Sequence, residues 1–188
     1  AGGSGGGLFA FNDITLTNST VSGNSAGFGA GGLFASNGNI TLTNSTVSGN
    51  SAGSGAGGLF ANNGNITLTN STVSGNSAGG GAGGLYAFKD ITLTNSIIAN
   101  NTAPTAPDLQ ANVTITATNS LIEDSTGATI TGINNIIGVD PKLLPLANNG
   151  GPTQTHALAL TSPALNAGSN ALAAGLTTDQ RGAPGARI

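Results

Sequence analysis

One stretch of this chain, NITLTNSTVSGNSAG, occurs at residues 39–53 and again, letter for letter, at residues 65–79. A close copy, DITLTNSTVSGNSAG, occupies residues 13–27. Looser copies follow, so that equivalent positions recur every 24 to 26 residues. Repeats of about 20–50 residues are typical of solenoids, propellers and arrays. The repeat therefore constrains the architecture before any single motif is considered.

Aligned copies show three apolar columns and a period of two within each copy. The columns are Ile14, Ile40, Ile66, Ile91 and Ile115; Val21, Val47, Val73, Ile98 and Ile122; and Leu8, Leu33, Leu59, Leu85 and Leu109. Three short alternating runs, broken by Gly, Asn and Ser, indicate three strands and three turns per copy. A propeller blade needs four strands and about 40 residues or more. We therefore predict an all-β fold, a parallel β-helix with 25–26 residues and three strands per coil.

Faithful copying has a physical reason in such a fold, because each residue lies about 4.8 Å above its counterpart one coil below. Asparagine tolerates turn conformations, and stacked amides hydrogen-bond from coil to coil. We therefore predict two asparagine ladders. They are Asn18, Asn44, Asn70, Asn95 and Asn119, and Asn24, Asn50, Asn76 and Asn101.

The repeat pattern divides the chain into two parts. Residues 1–138 are predicted coils, regular to about residue 102 and degenerate afterwards, and residues 139–188 form a C-terminal capping segment. A cap is expected because the end of a solenoid exposes unpaired backbone and apolar surface. Within it, SNALAAG (169–175) predicts one short helix with Ser169 as its N-cap. The chain also opens in mid-pattern, from which we expect a processed piece with further repeats upstream.

These residues carry a family likeness. The copy GGLFASNGNITLTNSTVSGNSA resembles the repeats of bacterial right-handed β-helix proteins of the pectate-lyase-like and polymorphic outer-membrane-protein type. The stretch NNIIGVDPKLLPLANNGGPTQTHALALTSPALNAGS, followed by TDQRGAP, resembles the end of choice-of-anchor Q domain proteins. The resemblance implies a right-handed β-helix in a secreted or surface-displayed bacterial protein. It brings no catalytic residues to this chain.

Composition excludes several classes of function. Charged residues make up only 6% of the chain, with four basic side chains and a net charge of −3. Nucleic acids and anionic membrane surfaces are bound by clustered Lys and Arg, so neither is an expected partner. There is no cysteine to form disulfides or thiolate metal sites. No apolar run approaches the ~18 residues that span a bilayer.

The acidic residues do not form a recognisable catalytic pattern. Sugar-cleaving β-helix enzymes need clustered carboxylates, or calcium-binding acids beside a base. Asp13 and Asp90 begin equivalent strands three coils apart, about 14 Å along the axis, which is too far for a pair. We interpret the others as structural: a solvated turn at Glu123 and Asp124, a turn at Asp140, a pair between Asp179 and Arg181, and a hydrogen-bonded His156. We predict no enzyme activity, no catalytic residue, no metal and no cofactor.

Two outward ladders are candidate binding surfaces. The first comprises Thr15, Thr17, Thr41, Thr43, Thr67, Thr69, Thr92 and Thr94, continued by Thr116 and Thr118. A flat Thr-x-Thr array resembles the ice-binding faces of antifreeze solenoids, although threonine also simply favours strands. The second is an aromatic strip of Phe9, Phe34, Phe60 and Tyr86. It is either an exposed apolar strip or is covered by the adjoining glycine-rich loop.

The sequence thus favours a non-catalytic, extracellular structural or adhesive module, with ice binding and polysaccharide binding as alternatives. Its candidate partners are another solenoid end, upstream repeats, a surface glycan or ice.

Overall fold

The computed structural model describes residues 3–182, which form a parallel β-solenoid and contain no helix. The predicted fold class is confirmed. Residues 1, 2 and 183–188 are outside the described part, and with them the chain start and the Ala-Pro that ends the TDQRGAP motif. Within residues 3–182, no helix is long and apolar enough to cross a membrane.

Sheet 1 is built from the Leu-Phe-Ala run of each copy. Its strands are β1 (Leu8–Ala10), β5 (Leu33–Ala35), β9 (Leu59–Ala61), β13 (Leu85–Ala87) and β16 (Leu109–Ala111). The register places Leu8, Leu33, Leu59, Leu85 and Leu109 in one column, as predicted.

Sheet 2 takes the Ile-Thr-Leu-Thr run and sheet 3 the run that follows it. The strands of sheet 2 are β2 (Ile14–Thr17), β6 (Ile40–Thr43), β10 (Ile66–Thr69), β14 (Ile91–Thr94), β17 (Ile115–Thr118) and β19 (Ile130–Ile133). Those of sheet 3 are β3 (Thr20–Ser22), β7 (Thr46–Ser48), β11 (Thr72–Ser74), β15 (Ile97–Ala99), β18 (Leu121–Ile122) and β20 (Ile136–Ile137).

The first three coils also have a strand that the sequence analysis does not include. The two-residue strands β4 (Ser25–Ala26), β8 (Ser51–Ala52) and β12 (Ser77–Ala78) form a small sheet 4. A coil there has the three predicted strands and this fourth one.

The core is the space inside the coils. Leu33, Ile40, Leu42 and Val47 of the second coil are fully buried, and so are their counterparts in the third. Each such side chain contributes about 1.5–3 kcal/mol before the loss of chain entropy is subtracted. Between sheets 2 and 3 the chain turns through an asparagine with positive φ, such as Asn44 at 48°. Asparagine adopts this left-handed conformation more readily than most residues, which explains its place in every copy.

The described part of the C-terminal segment, residues 139–182, is here called the strap. The sequence predicts a cap over the end of the solenoid, but the hydrogen bonds of the strap run back along the flank of the coils. Asn119 of the fifth coil donates to the carbonyl of Ala167 at 3.2 Å, and Thr20 of the first coil donates to that of Gln154 at 2.6 Å. At the end of the solenoid, Ile133 is still 65% exposed.

The prediction of a short helix at residues 169–175 is wrong. Residues 170–175 form successive turns, in which the amide of Ala173 donates to the carbonyl of Asn170 at 3.2 Å. Ser169 binds the solenoid through its backbone: its amide donates to Asn95 Oδ1 and its carbonyl accepts from Asn95 Nδ2, both at 2.9 Å. The contact with the solenoid, rather than helix propensity, fixes this segment.

Candidate functional site

The three main sheets each have an outer face, and the strap covers that of sheet 3. Thr46 Oγ1 donates to Gln180 Oε1 at 2.7 Å. Ser48 Oγ lies 2.9 Å from Nε2 of His156, whose Nδ1 lies 2.7 Å from the carbonyl oxygen of Leu144. Because that carbonyl only accepts, Nδ1 is the donor in the second bond. Ser48 is 6% exposed under the strap, so this pair holds the strap in place.

Glycine-rich links cover most of the outer face of sheet 1. Phe34 and Phe60 are 9% and 8% exposed and form a cluster with Ala30 and Ala56 of those links. The rings stack 5.1 Å apart, and Phe60 stacks on Tyr86 at 5.0 Å. The structure therefore favours the covered interpretation of the aromatic strip in the second and third coils.

Sheet 2 presents the threonine ladders on its outer face. The register aligns Thr15, Thr41, Thr67, Thr92 and Thr116 in one column and Thr17, Thr43, Thr69, Thr94 and Thr118 in the next. All ten are half-buried or exposed. In residues 3–182 the only hydrogen bond that reaches these hydroxyls joins Thr116 and Thr131, neighbours within sheet 2. This surface, which we call the threonine face, is thus left uncovered by the rest of the described chain.

The inner asparagine ladder is confirmed and is buried. Asn50 Oδ1 accepts from both the amide and the side-chain Nδ2 of Asn24 at 2.9 Å, and Asn76 accepts from Asn50 in the same way. The ladder ends where Asn101 Nδ2 donates to Asp108 Oδ1 at 2.9 Å. Asp108 has the register position of Gly84, and its carboxylate supplies the acceptor that a further asparagine would supply.

Two further ladders lie at the turns, and the sequence analysis does not predict them. In the first ladder, the serine that follows the turn asparagine accepts a hydrogen bond from the amide of the equivalent serine one coil earlier. Ser45 Oγ, for example, accepts from the amide of Ser19 at 3.2 Å. At the start of sheet 2, Asp13 Oδ1 accepts from the amide of Asn39 at 2.7 Å. Asp90 has the same role for Thr114 at 3.1 Å, so both aspartates are ladder members.

Four of the acids lie close together near the last coils, although their spacing in the sequence shows no such cluster. Glu123, Asp124 and Asp140 line one recess with Asp108. Burial raises the pKa of Asp108 to about 6, against the hydrogen bonds that it accepts. The hydrogen bonds from Thr126 hold the pKa of Asp124 below its usual range.

The predicted structural roles of the remaining acids agree with their contacts. Asp140 Oδ1 accepts from the amide of Lys142 at 2.6 Å within a turn. Asp179 pairs with Arg181 at 2.5 Å. Among residues 3–182, no group of three or more His, Asp or Glu side chains is placed to hold a metal ion.

A cleft of about 770 Å³ separates the strap from the turn asparagines. The strap bonds Asn44, Asn95 and Asn119 but not Asn70, whose Nδ2 donates to Asn44 Oδ1 at 3.3 Å.

The model of the family described as right handed beta helix region matches residues 2–139. This chain belongs to the right-handed β-helix family. No curated protein and no solved structure matches it. The matched residues end where the strap of this β-helix begins.

Three features of this β-helix were not predicted from the sequence, for different reasons. The serine ladder had a signal, since Ser follows Asn at the first five turns between sheets 2 and 3. The signal for Asp108 was weaker: this residue replaces a glycine that recurs at positions 32, 58 and 84. The lateral course of the strap gave no such signal, because its contacts join residues far apart in the sequence, such as Ser48 and His156, which are 108 positions apart.

Proposed function

We propose that this β-helix is a non-catalytic structural or adhesive module of a secreted or surface bacterial protein, with the threonine face as its contact surface. The observation that carries the proposal is the contrast among the outer faces: the strap covers one, glycine-rich links cover most of another, and the threonine face lies open. Its hydroxyls recur about 4.8 Å apart between coils and about 6.7 Å apart along each strand.

The secreted, bacterial setting is supported by the resemblance of the repeats and the C-terminal segment to pectate-lyase-like, polymorphic outer-membrane-protein and choice-of-anchor Q domain proteins. The non-catalytic role is supported by the carboxylates. Asp13 and Asp90 hold neighbouring coils, and Asp179 is paired with Arg181. Turnover of a pectin-like polymer by the purified chain would contradict it.

The adhesive role is tested by binding to arrayed glycans and immobilised polysaccharides. The test variant is Thr43→Lys with Thr69→Lys, which places two bulky cations on adjacent strands of the face. The matched control is Asn37→Lys with Asn63→Lys, which adds the same charge at neighbouring exposed turns of the same two coils. We expect binding at least tenfold weaker for the threonine variant and unchanged for the control. Equal binding by both variants would exclude the threonine face.

Ice binding is the second candidate, favoured by the regularity of the same array. Two threonine columns keep their register through five coils without an insertion. Thermal hysteresis and ice-crystal shaping test it with the same two variants. Activity that is lost only in the threonine variant would make ice the ligand, whereas no activity in the unmodified chain would reject this candidate.

A further inference from the structure

The cleft between the strap and the coils is elongated. Its lining includes the turn asparagines of five successive coils, which are Asn44, Asn70, Asn95, Asn119 and Asn134. Because coils lie about 4.8 Å apart, the cleft extends roughly 19 Å along the axis of the solenoid. A space of about 770 Å³ and that length has a mean cross-section of roughly 40 Å². The volume is that of a small-molecule site, and the cross-section is too small for an α-helix, whose diameter is about 10–12 Å.

The coil side of the cleft changes character along one column of sheet 3. The outward residue that begins each strand is threonine in the first three coils and aliphatic in the next three: Thr20, Thr46, Thr72, Ile97, Leu121 and Ile136. The last four of these residues line the cleft, and the strap adds Leu143, Leu158 and Ala164 to the same lining. The cleft therefore has an aliphatic part, built where the repeat departs from its own pattern.

The hydroxyl of Thr72 lies at the border of this aliphatic part. The equivalent hydroxyls of Thr20 and Thr46 both donate to the strap. Thr72 Oγ1 makes no hydrogen bond to any of residues 3–182, although Thr72 is half-buried and lines the cleft. Its neighbour in register is Ile97. The cleft thus offers a hydroxyl that can both donate and accept, directly beside an apolar column.

The charged groups that line the cleft already have partners. Asp179 binds Arg181, and the ring of His156 is held by Ser48 and by the carbonyl of Leu144. The described residues of the lining include no further Asp, Glu, Lys or Arg. A carboxylate or an ammonium group that entered the cleft would leave water without a counter-ion to compensate it. The cleft therefore favours an uncharged occupant.

The lining also disfavours a sugar, an aromatic ring or a peptide. Among the described lining residues there is no Phe, Tyr or Trp, so a ring has no aromatic side chain on which to stack. An extended peptide carries a donor and an acceptor at almost every residue. Beside Ile97, Leu121 and Ile136 these groups would find no side-chain partner. A linear aliphatic molecule with one polar end meets both constraints.

We infer that the cleft binds one free, uncharged, linear aliphatic molecule. Its alkyl chain lies along the column of Ile97, Leu121 and Ile136, and a hydroxyl or amide end bonds Thr72 Oγ1. The three steps of the column from Thr72 to Ile136 span roughly 14 Å, which accommodates a chain of medium length. Each methylene group that is buried there adds to the affinity. This site is separate from the threonine face and adds a ligand to the proposed contact role.

The test is equilibrium dialysis of the whole chain against radiolabelled dodecanol. We expect saturable binding of one molecule per chain, and binding at least tenfold weaker for dodecanoate, whose end is charged, and for hexanol, which has fewer methylene groups. The test variant is Ile97→Thr with Leu121→Thr, which gives both positions the threonine of the first three coils. It should bind dodecanol at least tenfold more weakly. Ile133→Thr is the matched control, because Ile133 is 65% exposed and lies outside the lining, and its binding should be unchanged.

A second variant, Thr72→Val, keeps the shape of the side chain and removes only the hydroxyl. It should weaken dodecanol binding about fivefold and leave the urea midpoint unchanged, so that lost binding is not attributed to unfolding.

Four results would overturn the inference. The first is the absence of saturable dodecanol binding by the unmodified chain. The second is equal binding by the Ile133→Thr control and the variant with Ile97→Thr and Leu121→Thr. The third is dodecanoate binding as tight as that of dodecanol, which would reject an uncharged end. The fourth is co-sedimentation with phosphatidylcholine vesicles that the double variant abolishes, which would make a membrane rather than a free molecule the source of the alkyl chain.

Discussion

The coils and the strap are both held by buried hydrogen bonds, but of two different kinds. In the coils a side chain bonds its own counterpart one coil away, as Asn50 bonds Asn76. The bonds between the strap and the coils join unlike residues, as Gln180 bonds Thr46. Repetition makes each ladder member support two neighbouring coils, whereas a strap contact supports only its own position. Changes in a ladder should therefore act globally, and changes in the strap locally.

The largest effect is expected from Asn76→Ala. Its Nδ2 donates to Asn101 Oδ1, Val47 O and Ser74 O, and its Oδ1 accepts two bonds from Asn50. Asn76 is fully buried, so its loss leaves these groups unpaired away from water. We expect the free energy of unfolding to fall by about 3–5 kcal/mol, measured by urea denaturation.

The matched control for this change is Asn24→Ala at the open end of the same ladder. Asn24 is half-buried, and its Oδ1 accepts no bond from the described residues. We expect a loss of about 1 kcal/mol. Equal losses for Asn24→Ala and Asn76→Ala would contradict the view that ladder bonds stabilise through their burial between two coils.

The next largest effect is expected from Phe60→Ala. Its ring lies between those of Phe34 and Tyr86 under the glycine-rich links. Removing it leaves a cavity in a stacked column, for which we expect a loss of about 3–4 kcal/mol. Phe9→Ala at the exposed end of the column should cost less than about 1 kcal/mol. Similar losses at both positions would show that stacking rather than burial dominates.

The same contrast explains how much the sequence reveals. The three core columns and the asparagine ladders were predictable because successive copies repeat them, and like residues must stack in a solenoid. The course of the strap was not predictable, because contacts such as Gln180 with Thr46 have no period. The role of Asp108 lies between these cases: a break in the pattern marks it, but only its contact with Asn101 explains the break.

The titration of Asp108 should make the stability of the end of the inner asparagine ladder depend on pH. Its folded-state pKa of about 6 exceeds the ordinary 3.8, so ionisation costs the folded state. The contribution of Asp108 to the free energy of unfolding is therefore highest below about pH 4, falls as the pH rises to about 6, and is constant above that. The full change is at most about 3 kcal/mol.

Asp108→Asn removes this titration while it keeps an acceptor for Asn101. Urea denaturation of both proteins from pH 3.5 to 7.5 isolates the group, because the other acids are common to both. The stability of the unmodified chain relative to the variant should fall between about pH 4 and 6. Parallel pH curves would show that Asp108 is not responsible.

A smaller and local effect is expected from Gln180→Ala in the strap. Gln180 Nε2 donates to the carbonyl of Ser19 and to Thr20 Oγ1, so it ties the strap to the first coil. We expect faster hydrogen exchange and earlier proteolysis in residues 139–182, with a local cost of about 1–2 kcal/mol and little change in the urea midpoint. Gln154→Ala, whose exposed side chain makes no such bond, is the control. Unfolding of the whole chain at a lower urea concentration would make the strap part of the cooperative unit.

The smallest effect on stability is expected from the threonine-face variant, Thr43→Lys with Thr69→Lys. Both side chains point away from the core, and neither hydroxyl makes a hydrogen bond to another described residue. The cost should stay below about 1 kcal/mol, from lost strand propensity and from two like charges on adjacent strands. Asn37→Lys with Asn63→Lys adds the same two charges at exposed turns and also removes the hydrogen bond from Asn63 Nδ2 to Asn37 Oδ1, so the threonine variant should cost no more than this control. A loss of 3 kcal/mol or more would place these threonines with the buried ladders, as part of what holds the coils together rather than as a surface free to contact a partner.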